Sequence, residues 1–212
     1  MTGTLNGTFP LRLVDGRRLE RRFRDVLIPG GILGDHAGQA RVLPRFFYEI
    51  NSWDQARDTY LAPHFSVSEF IHTDVREAPP LRVFPRYIPC ATVLLALALE
   101  QFREAVGSYV YIGANGGYCS PRHARVGGAS PHCWGTAANI YRVGDTYLDS
   151  HDAIEKYANI ARAVLPTIWT RPLGPTQVYT DDHLHLDLGY VISTPREAPG
   201  ETHNLKLAGD PL

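Results

Sequence analysis

Five consecutive residues, His183-Leu184-His185-Leu186-Asp187, alternate polar and apolar side chains, with Asp182 just before them. A period of two is the signature of a strand with one face on a core, and it sets His183, His185 and Asp187 together on the other face. Two imidazoles and a carboxylate on one rigid face point to a metal site or an acid/base site. A second stretch about fifty residues upstream, Ser130-Pro131-His132-Cys133-Trp134-Gly135-Thr136-Ala137-Ala138-Asn139, has an imidazole near a glycine. Backbone can approach closely at that glycine, and Asn139 adds a side-chain oxygen seven positions after His132. A chain that uses both stretches must bring two distant segments side by side, and the remainder reads as the scaffold that does so.

The scaffold is ordinary. The chain has 212 residues, the size of one domain, with 44% hydrophobic and 20% charged residues. A formal net charge of -1 offers nothing to a nucleic-acid or membrane surface, so neither partner is expected. The start, Met1 to Gly7, lacks a basic segment followed by an apolar run, and the apolar run Ala91 to Leu99 is too short to span a bilayer. Three cysteines, Cys90, Cys119 and Cys133, cannot all pair within one chain. Together these features lead us to expect reduced thiols and a cytoplasmic protein.

Local patterns predict the elements. Leu11 to Val14 and Arg17 to Ile28 read as two strands joined at Asp15-Gly16, with Pro29-Gly30-Gly31 closing them. The arginines at 17, 18, 21, 22 and 24 then form a solvated strand face, diluted by Asp15, Glu20 and Asp25. Arg41 to Tyr48 reads as a further strand. Ser66 with Glu69 forms a capping box for a short helix, in a section that Pro79-Pro80 ends. Residues 91–106 form an apolar core helix stopped by Gly107. Tyr109 to Ile112 and residues 136–143 are strands, and Asp152 to Val164 is a helix capped by Ser150. Gln177 to Thr180 and Leu184 to Ile192 are the last strands. His36, His72, His123, His151 and His203 stand alone and read as surface or hydrogen-bonded residues. The fold class is therefore α+β, a small antiparallel or mixed sheet with flanking helices.

Four motifs carry a resemblance. They are His64-Phe65-Ser66-Val67-Ser68-Glu69-Phe70, Gly117-Tyr118-Cys119-Ser120-Pro121, the Ser130 to Asn139 stretch, and Asp182-His183-Leu184-His185. In this order they resemble the zinc peptidases of the D-alanyl-D-alanine carboxypeptidase type, a group that includes murein endopeptidases, dipeptidases and the hedgehog signalling domain. The likeness spans about residues 64–192. It implies an extension over 1–63 packed on a metallopeptidase domain at 64–195, followed by a polar tail at 196–212. It also implies that His132, Asn139 and His185 hold Zn2+, that Asp182 is the catalytic acid/base, and that His183 assists near the substrate. Cys119, Ser120, Arg122 and Ser130 fall at substrate-binding positions. The implied reaction is metal-activated attack of water on an amide carbonyl of a small peptide or peptide-like substrate, which a D-amino acid would also suit.

Two residues depart from the pattern. The group carries aspartate where this chain has Asn139, so two imidazoles and a neutral amide would leave a zinc centre at +2 rather than +1. That weakens metal retention and makes bound water more acidic. His183 could instead complete a three-histidine site, less partial to zinc over a metal such as Fe2+. The group's loop arginine, suited to a substrate carboxylate, is Cys119 here, with Arg122 and Arg125 available nearby. The alternatives are a binding protein with a degenerate site, or a metal enzyme of different chemistry in small-molecule biosynthesis.

Overall fold

The computed structural model describes residues 9–171 and 182–198. The chain is α+β, with two small sheets, two strand ribbons and helices around them. Every strand pairing among the described residues is antiparallel.

The first sheet runs Arg12–Asp15, Phe46–Glu49, Tyr87–Pro89, with Phe46–Glu49 in the middle. Arg12–Asp15 therefore pairs with a distant strand rather than forming a hairpin with Arg17 to Ile28. That expectation is corrected: the Asp15 side chain accepts the Arg17 N–H and turns the chain into a 3-10 turn at Gly16–Arg18. An α-helix follows at Arg21–Leu27, burying Phe23 and Leu27. The spacing of Leu19, Phe23, Val26 and Leu27 is helical, and Arg21, Arg22 and Arg24 occupy the solvent side of this helix, with Arg17 and Arg18 in the 3-10 turn, instead of one strand face. Arg41 to Tyr48 divides at Pro44 into the strands Ala40–Val42 and Phe46–Glu49, and Ala40–Val42 pairs with Ile32–Gly34. Pro79-Pro80 opens a short helix, Pro79–Arg82, instead of ending a section, because proline at the first helical positions gives up only N–H groups that lack partners anyway.

The second sheet carries the site. The central strand Ala137–Val143 pairs with Leu184–Asp187 and Thr146–Tyr147 along one edge, and with Val110–Ile112 along the other. Trp169–Thr170 extends the sheet beyond Leu184–Asp187. The expected strand to Ile192 ends at Asp187 because its carboxylate accepts the Gly189 N–H at 2.7 Å and bends the chain, with Gly189 at φ +73°. The strand expected at Gln177 to Thr180 lies outside the described residues, as do Asp181 and most of the polar tail.

Helix Thr92–Val106 buries Leu95, Ala96, Leu99 and Phe102 and ends at Gly107 in the left-handed region. Helix His151–Val164 starts where Ser150 accepts the Ala153 N–H. Both helices join one core with Leu11, Phe23, Phe47 and Ile50 from the first sixty residues and with Ile140, Leu184 and Leu186 from the second sheet. The capping box at Ser66 and Glu69 forms as the sequence implies. All three cysteines are buried free thiols. No described helix is long and apolar enough to cross a membrane.

Candidate metal centre and cleft

His132 sits in a single 3-10 turn, Pro131–Trp134, which Pro131 starts and Gly135 ends at φ +68°. The left-handed φ and crowding both require glycine there, since a Cβ would lie 2.2 Å from the Thr92 hydroxyl oxygen. Trp134, fully buried, anchors the turn by donating Nε1–H to the Val42 carbonyl at 2.9 Å. His132 donates Nδ1–H to the Gly117 carbonyl at 2.7 Å, which leaves the Nε2 lone pair exposed to the site. Burial lowers the pKa of this imidazole to about 4, with His185 close by adding to the effect, so His132 is neutral at ordinary pH.

The Gly117 carbonyl is itself fixed by close packing. A Cβ at Gly117 would meet the Phe70 backbone at 2.4 Å, and one at Gly116 would meet the Asn139 carbonyl at 2.7 Å. The Asn139 N–H donates to the Gly116 carbonyl at 2.7 Å, so this loop and the central strand hold each other.

Asn139 and His185 are direct cross-strand partners. The Oδ1 of Asn139 lies 2.8 Å from His185 Nδ1, and His185 Nε2 lies 2.9 Å from Asp187 Oδ2. Asp187 is i+2 from His185 on the same face, as the alternation implies, and its carboxylate selects the tautomer with the proton on Nε2. Asn139 Oδ1 can only accept, so with Nδ1 unprotonated the 2.8 Å contact closes as a hydrogen bond only if the amide turns its NH2 toward the ring. The His132 and His185 rings meet edge to face with centroids 5.2 Å apart, and Trp169 packs edge to face on His185 at 5.6 Å. Among the described residues no three histidine, cysteine or acidic side chains form a ready-made ligand cluster. The group at the centre is two imidazoles and one amide oxygen.

His183 stands with Asp182 instead. Its Nδ1 donates to Asp182 Oδ1 at 2.7 Å, and that hydrogen bond holds the carboxyl below its usual pKa, so Asp182 is ionised. His183 Nε2 is buried with no hydrogen-bond partner among the described residues. Such an orphaned nitrogen is what a bound group would satisfy.

A cavity of about 720 Å³ gathers Cys119, Ser130, His132, Asn139, Asp182 and His183. Six of the nine residues singled out from sequence thus share one space. His185 faces a second cavity of about 530 Å³, which also touches Ser130 and His132. Ser120 is fully buried and spends its hydroxyl on Glu77 Oε1 at 2.6 Å. Arg122 is exposed, with Nε donating to the Asp25 carbonyl at 3.4 Å, and does not line the cavity. Arg76 and Arg125 do line it, as does the buried His123. Cys119 is hydrogen-bonded to Cys133, and this contact with burial pushes its thiol well above the ordinary range, which makes it a poor nucleophile.

Glu77, Arg76 and Trp169 escaped the sequence reading. Each lies in a segment with no periodic or motif signal; Glu77 and Trp169 act through contacts distant in the chain, with Ser120 and His185, and Arg76 pairs with the nearby Asp74. Comparison with protein-family models, with curated proteins and with solved structures finds no match.

Proposed function

We propose that this chain is a metal-dependent hydrolase that cleaves an amide bond in a small peptide or peptide-like substrate, built on the fold of the zinc D-alanyl-D-alanine carboxypeptidases. The observation that carries the reading is the convergence of His132, His185 and Asn139 beside the Asp182–His183 pair. The donor set fits a divalent ion, with Zn2+ the leading choice. His132 is neutral with its Nε2 lone pair free, and His185 has Nε2–H committed to Asp187, the arrangement that orients a ligating imidazole. The orphaned His183 Nε2 beside them is a further sign of a site built to hold something.

Such an ion supplies Lewis acidity to the carbonyl and acidifies water. The protein's own part is proton transfer and positioning. Asp182, ionised and exposed to the cleft, takes a proton from the attacking water as the new C–O bond forms. It returns that proton to the nitrogen as the C–N bond breaks, so the products are a carboxylic acid and an amine. His183 fixes the Asp182 carboxylate through Nδ1–H and, when Nε2 also carries a proton, faces the developing oxyanion. Arg125 supplies positive charge at the cavity wall, in place of the arginine that Cys119 replaces, while Arg76 is already paired with Asp74.

One observation favours a second reading. If the Asn139 amide turns its NH2 toward His185 Nδ1, the same 2.8 Å contact closes as an ordinary hydrogen bond with no ion between. The chain would then be a binding protein on the same fold. A neutral two-nitrogen, one-oxygen set would equally hold Fe2+ for another chemistry. The deciding experiment is hydrolysis of a panel of dipeptides and N-acyl amino acids by metal-loaded protein. We expect Asp182→Ala to lower the rate at least about a hundredfold while leaving bound metal unchanged. Equal rates for the two proteins would reject the proposed role of Asp182, and no turnover by wild type would reject the hydrolase.

A further inference from the structure

The two cavities meet at Ser130 and His132 but differ in their walls. The larger one presents Arg76, Arg125, His123 and Asp182. The smaller one presents Pro131, Trp169, Leu188 and Tyr190 beside Asp187, and Arg171 lines both. A ligand long enough to span both would cross His132, with the more polar wall at one end and the aromatic wall at the other.

The aromatic walls of the smaller lobe are held in place. Tyr190 donates its hydroxyl to the Ala129 carbonyl at 3.2 Å, meets Trp134 edge to face at 4.9 Å, and carries the Arg41 guanidinium 4.7 Å above its ring. Trp169 rests its ring against His185. It is 50% exposed and lines the smaller cavity, so its ring is open to a ligand there. Rigid aromatic walls lose little freedom when a ligand enters, so their contact area converts into affinity.

We propose that the Trp169–Tyr190 lobe is a specificity pocket for a bulky apolar, preferably aromatic, side chain on the substrate, opposite an anionic group held at Arg125. This rests on the reading of the cleft as an amide-hydrolase site and narrows the substrate to an amide with one aromatic and one anionic half. Trp169 and Tyr190 are specificity residues, not catalytic ones.

The test uses binding, so that it stands apart from turnover. The full chain carrying Asp182→Ala is labelled with 5-fluorotryptophan, and the Trp169 resonance is assigned through Trp169→Phe. It is then titrated with 3-phenylpropanoyl-glycine and with acetyl-glycine. The ring-bearing ligand should shift the Trp169 resonance saturably and bind at least about tenfold more tightly, as burial of an aromatic ring in a formed pocket implies. Trp169→Leu and Tyr190→Leu should each remove most of that difference while leaving acetyl-glycine binding as it was. Equal affinities, no binding of either ligand, or saturable binding that leaves the Trp169 resonance unmoved would each overturn the proposal. If the ring-bearing ligand binds as expected and wild type hydrolyses no amide, the pocket stands and the hydrolase reading falls.

Discussion

The Oδ1 of Asn139 lies 2.8 Å from Nδ1 of His185, directly across two antiparallel strands. An acidic residue at this position would add a charge to the centre, whereas the amide keeps it neutral. The ring of His185 is fixed from the far side by Asp187, so both ring nitrogens have defined partners.

Asp187→Asn should therefore weaken metal binding by about 10–100-fold through loss of the carboxylate that orients His185. Competition against a chromogenic chelator measures this directly. Unchanged affinity would mean that His185 does not ligate.

Glu77 is buried and accepts from Ala78 N, Ser120 N and Ser120 Oγ at 2.6, 3.0 and 2.6 Å. Glu77→Ala leaves those donors unsatisfied, at about 1–3 kcal/mol each before the loop relaxes. Urea unfolding should show the variant clearly destabilised, with Ser120→Ala, which removes a single donor, milder. A Glu77→Ala variant as stable as wild type would contradict this role for Glu77.

Asp15 is held below its ordinary pKa of 3.8 by the hydrogen bond from Arg45, with the Arg17 N–H also donating to its carboxylate. Because the folded-state pKa is depressed, this stabilisation is fully present above pH 3.8 and is lost as pH falls below it toward the folded value. Asp15→Asn should flatten the loss of stability between pH 5 and pH 3 and lower stability at neutral pH. Denaturant midpoints at pH 7, pH 5 and pH 3 provide the check, and parallel curves for the two proteins would contradict it.

Much of the site was legible because its signals are local. The alternation around His185 fixes which face the imidazole and Asp187 share, and the Ser66–Glu69 spacing specifies a cap whatever lies around it. The Arg21–Leu27 helix was misread because Asp15-Gly16 imitates a hairpin turn, while the strand that pairs with Arg12–Asp15 lies some thirty residues on. Glu77 is invisible for a similar reason: a lone acidic residue in a loop gains its role only when Ser120 arrives from forty-three positions away. The split of the histidines into a His132–His185 group and an Asp182–His183 pair depends on where the strand begins, which alternation alone does not set.

The central claim is that His132, Asn139 and His185 hold a metal despite the missing carboxylate. Its most direct test is the metal content of wild type purified without added metal, measured beside Asn139→Asp. The account predicts stoichiometric zinc, or another divalent ion, in wild type, with Asn139→Asp retaining it at least about tenfold more tightly against a chelator, a difference of about 1.4 kcal/mol. Wild type devoid of metal, with binding recovered only in Asn139→Asp, would contradict it.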